Sequence, residues 1–246
     1  LSRHEIDAAA VRSFRLLRWA TLPGADRPLR EDGTPHHADA IWSQLRLSSK
    51  SHWDVPIDTP LGRVHLLASH PTPPVFDGPE DLNGRRNADE IRLWAEYLSA
   101  NEAAWLCDDA GVCGGLAPDA RFVLVGDLNS DPIDGDSRPG SIARLLDHAR
   151  VDAAFVPRAP GGTARAAEHG LPRRGDPATH TGDFGPRAGT LRLDYVLPSK
   201  GLAVRDGGVF WPLSPPDHVH WAGASDHHLV WLDLARAESA TTEKTP

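Results

Sequence analysis

The 246-residue chain is 40% hydrophobic and 24% charged, proportions that give one large domain a sizeable core. It carries 26 basic and 34 acidic residues, a formal net charge of −8. That balance weighs against a dedicated DNA-binding module, but not against an enzyme that handles one phosphate with metal ions. No apolar run is long enough to form a membrane-spanning helix.

In chain order, residue 1 is Leu and the chain has no Met, so the sequence is expected to start partway through a longer product. Its opening shows no signal-peptide pattern. Residues 21–40, rich in Pro, Gly and Asp, read as a surface loop. "RVHLLAS" (63–69) has strand length and ends at His70 and a Pro-rich turn. A loop follows, then a helix with Asn87 as N-cap and Glu90 completing a capping box. Ile91, Trp94, Ala95 and Leu98 line one face of that helix. Cys107 and Cys113 lie in a polar, Gly-rich loop. A local disulfide and two unpaired thiols are both compatible with that setting, and the bridged form points weakly to an extracytoplasmic, secreted location.

"RFVLVG" (121–126) is an apolar strand that ends by presenting Asp127 and Asn129, two residues apart. If the chain stays extended there, both face one side. "GSIARLLDHA" (140–149) reads as an amphipathic helix, and 157–190 as long loops. "LRLDYVLPS" (191–199) alternates as a strand, with Asp194 on its less apolar face beside Arg192. "LAVRDGGVFW" and "SDHHLVWLDL" (225–234) read as two more strands, the latter opening on Asp226, His227 and His228. Residues 1–235 are expected to form one domain and 236–246 a disordered tail. Strands with interspersed helices make this an α/β protein with sheets inside and helices outside.

Polar groups therefore recur where strands meet loops: His70, Asp127, Asn129, Asp194, Asp226 and His227. There is no Ser or Cys nucleophile arrangement. Carboxylate and carboxamide oxygens suit Mg²⁺ or Mn²⁺, and His beside Asp suits proton transfer. Together they fit metal-assisted attack of water on a phosphate ester. Each motif alone is ordinary, since Gly-Asp-x-Asn is a common turn.

In order, "ASHP" (68–71), "GDLN" (126–129), "LDYV" (193–196) and "SDHH" (225–228) resemble the endonuclease/exonuclease/phosphatase superfamily across nearly the whole chain. The resemblance implies a four-layer α/β/β/α sandwich of two packed mixed sheets. It implies that Asp127 activates the attacking water or binds metal, and that Asn129 holds the nucleophile or a phosphate oxygen. Asp226 would be a metal ligand, His227 would sit on the phosphate paired with Asp194, and His70 would assist the leaving oxygen. Asp127 and His227 both remain open as the base. Arg85, Arg86 and Asn87 are weaker candidates for phosphate contacts, set against a solvated helix start.

The pattern's early strands carry an Asn and a metal-binding Glu, expected upstream of "LSR". Glu5 falls where the pattern has a turn and is not taken as the substitute. The chain is therefore expected to lack the first strands of its N-terminal half and to be impaired in metal binding and activity. The leading expectation for the intact protein is a metal-dependent phosphoester hydrolase (phosphatase, phosphodiesterase or nuclease). The competing one is a degenerate module that binds phosphate or a partner without turnover. Nucleic acid stays open as a substrate, though charge does not favour it. For a lipid-directed enzyme, Val75-Phe76 and Trp221 are thin evidence.

Overall fold

The computed structural model describes residues 1–100, 103–213 and 223–237. The strands are β1 (Glu5–Ile6), β2 (Arg12–Ser13), β3 (His52–Thr59), β4 (Gly62–Ser69), β5 (Arg121–Asp127), β6 (Gly182–Asp183), β7 (Thr190–Leu191), β8 (Asp194–Pro198), β9 (Leu202–Val209) and β10 (Val230–Arg236). The helices are α1 (Asp39–Trp42), α2 (Leu82–Leu98), α3 (Ala143–Leu146), α4 (Pro160–His169) and α5 (Gly185–Ala188).

A six-stranded mixed sheet runs β1-β3-β4-β5-β8, with β2 also pairing with β3. Strands β4 and β5 are parallel, and the connection between them is long enough to contain α2. β5 is apolar on both faces because both are covered. Phe122 and Leu124 join the main core with Trp94, Tyr97 and Leu98 of α2. Val123 belongs to a smaller cluster with Val64 and Leu202, against which Val125, Val196 and Leu234 pack. The α/β class therefore stands. Among the described residues the second sheet consists of antiparallel β9 and β10 alone, rather than a larger mixed sheet.

Several local expectations change. Helix α2 begins at Leu82, five residues before Asn87. Asp77 accepts from the backbone N–H groups of Asn83 and Gly84 at 2.9–3.0 Å, which satisfies donors left free at a helix start. Asn87 and Glu90 are therefore interior, fully buried helix residues, not a cap. Residues 157–190 are not all loop: α4 starts on Pro160 at its first turn, where a missing N–H does no harm. Residues 140–149 yield only the single turn α3. The 191–199 strand is interrupted between β7 and β8, and the last strand begins at Val230 rather than 225. Cys107 and Cys113 form a disulfide. Trp221 and nearly all of the 236–246 tail lie outside the described residues. Among the described residues no helix is long and apolar enough to cross a membrane.

Candidate functional site

The site forms where four chain segments end together. In the antiparallel β5–β8 pair, Asp127 stands directly opposite Asp194, so both carboxylates share a face. His70 directly follows β4, beside Asp127. Gly126 allows that closeness: its φ is +143°, and a Cβ there would stand 1.9 Å from the Ser69 carbonyl oxygen. The motif glycine is thus set by a backbone contact that no side chain tolerates.

His227 arrives from the segment before β10 and is held in register by an antiparallel bridge to Gly182. Its Nδ1 meets Asp194 Oδ2 at 2.8 Å, and its Nε2 lies 3.7 Å from Asp127 Oδ2. His70 Nε2 lies 3.3 Å from the same Asp127 oxygen. Asn129 takes a left-handed backbone, φ 50°, a conformation Asn tolerates. The chain is therefore not extended through 127–129, contrary to the expectation above. The two residues converge instead because the Asn129 N–H donates to Asp127 Oδ1 at 2.8 Å. The Asn129 amide also donates to Asp127 Oδ2 and the Pro71 carbonyl, both at 3.1 Å.

The electrostatics follow from this packing. Asp127 is pushed up to about 6, first by burial and then by the nearby Asp194 charge. His227 is raised to about 9, chiefly by its hydrogen bond to Asp194, against the opposing effect of burial. His70 is lowered by burial, then by Lys50 and His227, which keeps it neutral. One donor atom from each of Asp127, Asp194 and His227 lies within 4.8 Å of the others, a group able to hold a cation.

Five of the six expected site residues are thus brought together: His70, Asp127, Asn129, Asp194 and His227. Asp226 is not part of that group. Its side chain is exposed and meets Ser225 at 3.4 Å, while its backbone carbonyl accepts from the Asp183 N–H. Asp194 does not pair with Arg192, whose guanidinium lies 4.7 Å from the Tyr195 ring centre. His228 is buried and stacks on Trp211 at 3.7 Å. Arg85 pairs with Asp26, and Arg86 lies over the Trp19 ring, so neither reaches the site. Glu5 pairs with Asp58, at the end of β3 opposite the one that holds His52, which stands beside Ser69 of β4.

Thr181, and the supporting roles of Asn87 and Glu90, escaped sequence reasoning. Thr181 Oγ1 donates to Asp194 Oδ2 at 2.7 Å and accepts from the Leu193 and Asp194 N–H groups at 3.0 Å, which fixes the carboxylate that orients His227. Asn87 donates to the carbonyls of Thr72 and Leu128 at 2.9 and 3.0 Å, tying the His70 loop to the Asp127 loop. Glu90 accepts from the Thr72 N–H at 2.6 Å. The available signal was a run of polar residues on the apolar side of a helix.

Residues 1–227 match the model of the Endonuclease/Exonuclease/phosphatase family. No match is found among curated proteins. Among solved structures, the chain resembles an endonuclease/exonuclease/phosphatase from Beutenbergia cavernae, 20% identical with a TM-score of 0.54, over 96% of this chain and 46% of that one. A family protein from Bacteroides thetaiotaomicron is 14% identical with a TM-score of 0.47, over 94% of this chain and 66% of that one. The chain thus spans about half the length of the first of these, a likeness that concerns the fold.

Proposed function

Because the chain belongs to the endonuclease/exonuclease/phosphatase family, we propose that the protein is a metal-dependent phosphoester hydrolase in which an activated water attacks phosphorus in line. The observation that carries this reading is the contact run His70, Asp127, His227, Asp194 at the ends of four segments.

The residues fit a divalent cation. Asp127 and Asp194 set two carboxylates beside one imidazole, and burial plus mutual repulsion raise Asp127, a strain that positive charge relieves. Carboxylate oxygen donors suit Mg²⁺ or Mn²⁺. Asp127 is the first proposed ligand and Asp194, whose carboxylate lies in the same group, the second; Asp226, expected there, has its side chain outside that group. When bound, such a cation supplies positive charge to the phosphate oxygens.

Above pH of about 6 Asp127 is mainly a carboxylate, well placed to take a proton from water at neutral pH. His227 keeps its proton up to about 9 and presents positive charge to the phosphate, with Asp194 and Thr181 fixing its ring. Asn129 holds Asp127 in place and borders the water position. Neutral His70, on the other side of Asp127, is assigned to the leaving oxygen.

The test uses the full chain with Mg²⁺ or Mn²⁺ on bis(4-nitrophenyl) phosphate and 4-nitrophenyl phosphate. Turnover should vanish with chelator and fall by about 10²–10⁴ in Asp127→Ala. Activity that survives both would refute the mechanism. For location we propose an oxidising compartment, supported by the Cys107–Cys113 bridge. Two titratable free thiols in protein isolated from cells would sink that placement.

A further inference from the structure

The polar cluster forms the floor of a cavity of about 500 Å³ bounded by the loops after β4 and β5 and by the α5–β7 segment. Its walls are of different chemistry. Pro74, Val75, Phe76, Phe184 and Leu191 line it, and the Phe184 ring stands edge-on to His227, centres 5.4 Å apart. The apolar wall therefore reaches the group assigned to the phosphate. Among the described residues that line the cavity there is no Lys or Arg, while Asp131 and Asp136 do line it. A nucleic-acid strand, with one charge per nucleotide, calls for cations along such a path. An apolar group attached to a single phosphate calls for this arrangement instead.

Phe76 adds a second observation. Its side chain is 99% exposed, and its backbone is left-handed, φ 63°, a conformation costly for a bulky residue. Nothing in the described chain covers this ring. A ligand entering the cavity would meet it at the rim.

We propose that the cavity takes the apolar part of the substrate, so that the substrate class is a small phosphoester bearing an aryl or alkyl group. The inference rests on the hydrolase reading but is tested by binding. Calorimetric titration of the full chain, in Mg²⁺ or Mn²⁺, uses ethyl, butyl and hexyl phosphate, which share one headgroup. Affinity should rise about fourfold per added methylene, and Phe76→Asn should flatten that rise. Asn accepts the positive φ, and the exposed position makes the change harmless to folding. Equal affinity along the series, an unchanged slope in the variant, or tighter binding of a short single-stranded oligonucleotide than of hexyl phosphate each overturns the inference. Turnover of bis(4-nitrophenyl) phosphate reports on the hydrolase reading separately, so the two fail in different assays.

Discussion

The two faces of β5 are packed to different depths. Toward α2, Phe122 and Leu124 are wholly buried in a core that includes Phe14, Trp94 and Tyr97. Toward β9 and β10, Val123 and Val125 meet a cluster whose buried members among the described residues are Val64, Val123 and Leu202. Asp127 continues the second face, two residues beyond Val125, and Asp194 stands opposite it. The thick face supplies rigidity and the thin face leaves the carboxylates partly open to solvent. Stability and chemistry are thus assigned to opposite sides of one strand, and substitutions on the two sides should separate.

Neighbouring residues on β5 give the strongest break. Phe122→Ala should cost about 3–5 kcal/mol, whereas Val123→Ala, which removes two methyl groups from the thinner cluster, should cost about 1.5 kcal/mol. Urea unfolding measures both, and equal losses would overturn the contrast. On the site side, Asp194→Asn should lower kcat by about 10²–10⁴, with any loss of stability confined to pH below about 9, where His227 is protonated. It should also bring His227 down from about 9 toward its ordinary 6.5, followed by imidazole NMR. The sign follows from linkage: a His raised in the folded state contributes stability below about 6.5 that is lost as pH rises through 9. The variant should lack that slope.

The parts of this arrangement written in short sequence runs were legible. Gly126-Asp127-Leu128-Asn129 and Asp226-His227 each lie within a few residues, and strand ends are marked by the change from apolar to polar. The strand β3 was not legible, because its inward residues are His52 and Asp54. Their burial makes sense only with Glu90, His65 and Tyr97 in place, all distant in sequence. Thr181 sat in a stretch that reads as loop, and its role depends on a hydrogen bond to β8. Asn129 was placed on the right side for the wrong reason: an Asx turn, not extended chain, brings it to Asp127. The start of α2 was misread because its cap comes from Asp77, outside the helix and without local periodicity.

The buried polar layer beneath the site tests whether the thick face is only scaffold. Glu90 is pushed up to about 7, first by burial, against the hydrogen bonds it accepts. An acid raised in the folded state stabilises below its unfolded value, near 4.5, and that contribution is lost as pH rises through 7. The Glu90 contribution to stability should therefore fall by about 3 kcal/mol between pH 4.5 and 8, and Glu90→Gln should remove that part of the slope. Denaturant midpoints measured across this window would show it, and parallel curves for the two proteins would sink the assignment.

The smallest expected effect on rate is also the one that joins the two faces. Asn87→Ala removes donors from two buried carbonyls, Thr72 and Leu128, and should cost about 2 kcal/mol. Those carbonyls belong to the loops that carry His70 and Asp127, which must meet at 3.3 Å. If Asn87 positions the loops, kcat per folded molecule should fall about tenfold with KM little changed, and Asn87→Gln should not restore it, because the longer side chain shifts the amide. If Asn87 only fills the core, the variant would unfold more readily yet turn over at the parent rate once folded. Measuring kcat at a temperature where both proteins are fully folded separates these outcomes, because a loss of rate there can arise only from the geometry of the two loops.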